Sequence, residues 1–280
     1  MKKIIQYIKN LLNQERFNEI LSRRTIVFLH IYKVGGSSFW HSLAENTSRN
    51  CDIGIMDSHH ESKALIASNL DSIHNRSLDF IRKCFLKSNK RRYLLHHHYY
   101  HEGFLTEIFP NAGYMVMIRS PEERLRSAFR NIRQSALDKN TEAVVEIKGG
   151  VISYDFTNNP LEFFEMPLFI YGLNHYVANL FNYYIDPFEP PPSYVINFIR
   201  QNFYFFTLND YRSNNHKIKL IEKKLSISSV DCIHFDGTIT DSKFDKDLDF
   251  LLANNKDFFH KWHEFLNAEI LWHKALGLDS

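Results

Sequence analysis

"TIVFLHIYKVGGSSFWHSL", residues 25–43, runs from a β-branched apolar segment through a glycine pair into a helix-like pattern. A strand, a glycine-rich turn and a helix in that order form an anion cradle. Backbone N–H groups of the turn point inward, and the helix N-terminus adds about half a positive charge. Gly35 and Gly36 permit positive φ and close approach of backbone to ligand. Ser37 and Ser38 are expected to cap the helix and offer hydroxyls, while Phe39, Trp40 and Leu43 anchor it to the sheet. Lys33 supplies a mobile point charge. The lysine precedes the glycines, so the GxxxxGK[ST] spacing of nucleotide P-loops is absent and a kinase or GTPase fits poorly.

Outward from this unit, "RYLLHH" (92–97), "GYMVMIR" (113–119) and "FYFFTL" (203–208) join residues 25–31 as expected strands, each followed by helix-like sequence. Runs this apolar are buried on both faces, which predicts an α/β three-layer fold with a central parallel sheet flanked by helices. Ligands then bind at the carboxyl ends of the strands. Residues 137–200 are aromatic, less regular and helical in pieces; "FEPPPSY" (188–194) hands the chain to the helix before the fourth strand. "NNHKIKLIEKKL" and "NKDFFHKWHEFLNAEILWHKAL" carry helical periodicity.

The segment "GYMVMIRSPEERLRSAFRNIR" offers a second anion site. Its strand ends at Arg119; Ser120, Pro121 and Glu123 mark a helix start by an S-x-x-E capping box with proline at the first helical position. Leu125, Phe129 and Ile132 share a face expected to pack on the sheet, leaving Arg124, Ser127, Arg130 and Asn131 on another. Arg119 and Ser127 are placed to converge on one phosphate. The competing reading, a solvated face, suits Arg126, Arg130 and Arg133.

Between the two motifs lies "YLLHHHYYHEGF". Strand geometry puts His96 and His98 on one side and His97 on the other. Loop histidines without chemistry are one alternative. A metal site on His96, His98 and His101 is another, disfavoured because no Asp, Glu or Cys stands at a matching spacing.

The "IYKVGGSS" turn resembles the 5′-phosphosulfate loop of sulfotransferases, close to "hxKxGG[ST][ST]", and "RSPEERLRSAF" resembles their 3′-phosphate motif, "RxPxxRxxSxY", with Arg119, Pro121, Arg124 and Ser127 in register. The order of the three motifs is similar to that of Golgi-type carbohydrate sulfotransferases, with the uronyl 2-O enzymes the nearer comparison. The resemblance covers residues 25–135. It implies a P-loop NTPase-like fold and 3′-phosphoadenosine 5′-phosphosulfate (PAPS) as co-substrate, without a metal. Lys33, Gly35, Gly36, Ser37 and Ser38 would hold the 5′-phosphosulfate, and Arg119 and Ser127 the 3′-phosphate. His98 would be the base, with His96 supporting, and Lys33 would also neutralise the leaving oxygen. "YGLNHYVANL" is similar to a family segment that makes Asn174 a donor contact. The acceptor implied is a carbohydrate hydroxyl, with residues 137–200 on the acceptor side. Two departures are Tyr32, where proline is common and whose presence would loosen the loop, and Ser120, where aspartate or asparagine is usual. A non-catalytic nucleotide-binding scaffold and a phosphotransferase are the alternatives.

The whole chain sets bounds on these readings. Its 280 residues, 44% apolar, suit one domain spanning 1–280. A formal charge of +2 gives no global footprint for nucleic acid, so any basic site is local. Cys51, Cys84 and Cys232 are dispersed and read as buried thiols in a reducing compartment. Within the amphipathic helix expected over residues 1–22, the apolar stripe of residues 2–12 suits packing on its own domain better than weak membrane-surface contact. No segment reads as a membrane span or cleavable leader, so a cytoplasmic location is expected.

Overall fold

The computed structural model describes residues 14–57, 90–97, 106, 109–138, 143–147, 150–154, 159–165, 170–181, 184–230 and 242–278. Five strands form one wholly parallel sheet: β1 (Thr25–Leu29), β2 (Ile53–Asp57), β3 (Arg92–His97), β4 (Gly113–Ile118) and β7 (Phe203–Thr207) in the order β2-β3-β1-β4-β7. A separate antiparallel hairpin joins β5 (Ala143–Ile147) to β6 (Gly150–Tyr154). The four sequence-predicted strands are present. β2 and the hairpin were not foreseen, because "IGIMD" mixes glycine and aspartate into an edge strand and the hairpin lies in a stretch expected to be helical.

The helices are α1 (Gly36–Ser48), α2 (Pro121–Asp138), α3 (Leu173–Leu180), α4 (Ser193–Asn202), α5 (Leu208–Arg212), α6 (His216–Leu225), α7 (Ser242–Asn254) and α8 (Lys256–Leu276), with a 3₁₀ turn over Pro160–Glu165. Residues 14–21 are also helical, whereas the stripe of residues 2–12 lies outside the described residues. No described helix is long and apolar enough to cross a membrane.

The sheet supplies the main core. Every residue of β1 and β4 is buried, as expected for strands covered on both faces. From α1, Phe39 and Trp40 reach the sheet: Phe39 packs on Phe206 at 4.7 Å between ring centroids, and Trp40 stacks on His96 at 4.4 Å. α2 departs from expectation. Its Leu125, Phe129 and Ile132 meet Phe163, Leu248, Phe258, Trp262 and Leu266 in a second core formed with α7 and α8, not the sheet. Periodicity finds a buried face; it does not say what covers it.

This topology fixes where a ligand can sit. From β1 the chain crosses to β2 at one edge and returns through β3, and only then passes to β4 and β7 on the other side. β1 and β4 are neighbours from which the crossovers diverge, so a crevice opens beyond their carboxyl ends. The glycine turn follows β1 and Arg119 follows β4.

Candidate anion site at the carboxyl edge of the sheet

Gly35 is the N-cap of α1, with φ of 94°, and no side chain caps this helix. The expectation that Ser37 and Ser38 cap it is therefore corrected. Both lie inside the first turn, one and two residues beyond Gly36, so their own N–H groups are among those a helix leaves without internal partners. Gly35 is required by its positive φ, and a Cβ there would also come within 2.8 Å of Leu208 Cδ1. Gly36 is required by crowding: a Cβ would lie 2.3 Å from Cδ2 of His30. From α5, Tyr211 donates its hydroxyl to the Ser38 carbonyl at 3.3 Å. Leu208 and Tyr211 thus brace the turn from beyond β7, a contribution that only the tertiary fold reveals.

Lys33 is not the mobile charge expected of it. It adopts φ of 62°, and its ammonium donates to Asn131 Oδ1 at 2.9 Å. The Asn131 amide in turn donates to the Tyr32 hydroxyl at 2.6 Å. Tyr32, expected to loosen the loop, instead ties it to α2. Burial first, then the neighbouring charges of Arg119 and Arg130, lower the Lys33 ammonium from its ordinary 10.5 to about 8. The two motifs, far apart in sequence, therefore converge in one electropositive crevice.

Around it, the arginines divide. Arg119 pairs through Nε with Glu123 at 3.2 Å, leaving its Nη groups able to grip an oxyanion. Half of the expected capping box is present: Ser120 Oγ accepts from the Glu123 N–H at 3.3 Å while the Glu123 carboxylate serves Arg119. Arg124, in register with the phosphate motif, is 2% exposed and locked to Glu269, with Nε 2.9–3.0 Å from both carboxylate oxygens and Nη2 2.7 Å from Oε2. It is a packing residue joining α2 to α8. Arg126, Arg130 and Arg133 are not a purely solvated face; they pair with Asp249, Asp245 and Asp247 of α7. Ser127 is half-buried one turn before Asn131, on the side of α2 that reaches the turn.

Asn174 lies apart from this cluster in its bonding. It is buried in α3, its amide donates to the Pro187 carbonyl at 2.9 Å, and its Oδ1 has no hydrogen-bond partner among the described residues. His98 and His101 lie outside the described residues. His96 is buried, and its Nε2 meets Nδ1 of His30 at 2.9 Å. This contact of His30 was not foreseen, because nothing in "FLHIYK" sets its histidine apart. The available signal was parity: His30 stands two residues after Phe28, whose register partner is His96. Cys51, expected buried, is exposed.

No protein-family model matches the chain, and no curated protein is similar enough to count as a match.

Proposed function

We propose that the chain transfers a sulfuryl group from PAPS to a hydroxyl of a carbohydrate acceptor. The observation that carries this reading is the meeting of Lys33 with Arg119 at the mouth of the β1–β4 crevice, where two anion-binding motifs share one site. A single bis-phosphorylated nucleotide accounts for both motifs. A P-loop NTPase-like fold belongs to the same proposal, supported by a glycine turn leaving the central strand of the parallel order β2-β3-β1-β4-β7.

The amides of Gly35, Gly36, Ser37 and Ser38 and the two serine hydroxyls hold the 5′-phosphosulfate. Arg119 and Ser127 hold the 3′-phosphate. The acceptor oxygen attacks sulfur as the bond from sulfur to the bridging oxygen breaks, and 3′-phosphoadenosine 5′-phosphate leaves. Lys33 neutralises charge growing on that oxygen, and His98, with His96 in support, takes the acceptor proton. The chemistry needs positioning and electrostatics and invokes no metal. Asn174 as a donor contact would use the second N–H of its amide, the first being given to the Pro187 carbonyl. The aromatic region 137–200 supplies the acceptor side, and the unpaired Cys51 agrees with a cytoplasmic setting.

Phosphoryl transfer is weaker on one specific ground. Asp210, the acidic residue just beyond β7, is engaged by the Thr207 N–H, Asn215 and Lys217 and is poorly placed to hold magnesium. The test is thermal stabilisation followed by transfer. 3′-Phosphoadenosine 5′-phosphate should raise Tm well above the effect of ATP with magnesium, and labelled PAPS should sulfate a member of a glycan panel. Stabilisation by ATP alone would reject the reading. Donor binding without transfer to any glycan would favour a scaffold.

A further inference from the structure

A cleft of about 860 Å³, the size of a small-molecule site, lies at the edge of the sheet away from the glycine turn. Thr25 at the start of β1, Ala112 just ahead of β4 and Asn202 just ahead of β7 border it, so it opens at the amino ends of these parallel strands. Two of its arginines differ in their bonding. Arg23 is committed to the wall: Nη1 donates to the Ala112 carbonyl at 2.9 Å and Nη2 to the Gln201 carbonyl at 3.0 Å, with the Glu19 carboxylate 3.5 Å away. Arg16 is not so served. Its Nε is buried with no hydrogen-bond acceptor among the described residues, and Glu19, the one carboxylate on the described lining, faces Arg23 instead. Residues 1–13, which precede it, contain no Asp or Glu. The guanidinium is held over the Phe17 ring at 4.8 Å, and Phe17 meets Tyr204 edge-on at 4.9 Å. Burial first, then the neighbouring charge of Arg200, lower the Arg16 pKa from its ordinary 12.5.

We propose that this cleft binds a small organic anion through a phosphate or carboxylate group, with Arg16 as its principal ligand and the exposed Arg200 in support. A half-buried guanidinium beside a second cation and without an acceptor is destabilising until an oxyanion reaches it, and its fork suits either group. Phe109 and Phe198 line the same cleft and supply apolar surface for the ligand's carbon skeleton. Arg23 builds the site without binding in it, since it ties the chain ahead of β4 to the end of α4. The site goes beyond sulfuryl transfer and does not rest on it. A strand of five residues spans about 16 Å, so one small anion does not bridge the two edges of the sheet.

The experiment follows the arginine Nε–H resonances by ¹⁵N NMR while inorganic phosphate and citrate are titrated at constant ionic strength. The Arg16 resonance should move and saturate, and the tighter of the two probes names the group that the cleft prefers. The same response should persist in Lys33→Ala, which separates this cleft from the glycine turn whether or not the chain transfers sulfuryl groups. Arg16→Gln should weaken binding about ten- to a hundredfold, as loss of one hydrogen bond to a charged group does, and should not lower the ligand-free denaturation midpoint. A shift no larger than chloride gives at the same ionic strength, loss of the response in Lys33→Ala, or wild-type affinity in Arg16→Gln overturns the proposal. Glu107, two residues before Phe109, supplies one more control: binding seen only in Glu107→Gln would assign Arg16 to an internal ion pair and overturn it as well. The wild-type titration decides the matter even where Arg16→Gln fails to fold.

Discussion

The lowered Lys33 pKa makes ligand affinity a function of pH between about 7 and 9. Burial leads the shift, followed by Arg119 and Arg130, and brings the ammonium to about 8. The groups facing it are those two guanidiniums, balanced by Glu123 and Asp245, and the uncharged Asn131 and Tyr32. A bound phosphate or sulfonate supplies the negative charge that the site lacks and returns the lysine to its charged form. If only that form binds, the competent fraction falls from about nine-tenths at pH 7 to about one-tenth at pH 9, and apparent affinity falls about tenfold. The ligand does not contribute to this change, because a phosphomonoester's second pKa is about 6.

Calorimetric titration of 3′-phosphoadenosine 5′-phosphate at constant ionic strength measures this directly. Proton uptake should approach one per ligand near pH 9, read from buffers of different ionisation enthalpy. Lys33→Arg, which stays charged throughout, should flatten the profile. In the ligand-free chain the linkage has the opposite sign. A folded pKa below the unfolded value means the unfolded chain binds the extra proton, so this group's contribution to stability rises with pH from about 8 towards 10.5. Affinity that is flat between pH 7 and 9, or an equal decline in Lys33→Arg, refutes the reasoning.

Three further outcomes follow from single contacts. Lys33→Ala should lower turnover by about 10²-fold or more in a labelled-transfer assay, as loss of one preorganised donor at a developing anion does, while leaving the denaturation midpoint near wild type. Glu269→Gln breaks the buried pair with Arg124 and should cost about 3–5 kcal/mol in guanidinium unfolding, whereas Glu123→Gln, at an exposed pair, should cost less than about 1 kcal/mol. His175 is held neutral down to about pH 3, by burial first and by Arg124 second, so it favours unfolding by up to about 1.4 kcal/mol per pH unit as pH falls from 6.5 towards 3. His175→Phe keeps the stack on Tyr171 and removes the unpartnered Nδ1; its stability should fall less steeply with acid, and an unchanged slope would exclude His175 as the source.

What was legible in the sequence was local. The β1-turn-α1 unit could be read because strand, glycine turn and helix each depend on neighbours a few residues away, and the same holds for the start of α2 at Pro121. What was not legible depends on distant pairing. His30 meets His96 across 66 positions, and Arg124 meets Glu269 across 145. A phosphate-motif arginine and a helix-packing arginine share one pattern until the partner is known. The Ser37 and Ser38 error has a different cause: capping preference is statistical, and here the left-handed conformation at Gly35 starts the helix two residues earlier than a serine at position 37 would.

The distribution of partners also bears on how a chain of net charge +2 would hold the doubly phosphorylated ligand proposed for it. Lys33, Arg119 and Arg130 gather near the crevice, and both arginines already have carboxylates: Arg119 with Glu123 and Arg130 with Asp245. The Arg130 pair ties α2 to α7, as Arg124 with Glu269 ties it to α8, while the Arg119 pair is local to the start of α2; none of them adds a full positive charge to the crevice. Lys33 differs, since its hydrogen bond goes to a neutral amide and its neighbours are cations. A buried ammonium so placed is destabilising in the free protein and is relieved when an anion arrives, which is the differential interaction that binding requires. The discrimination is therefore local: charge is balanced where it positions the helices and left unbalanced at the residue next to the glycine turn.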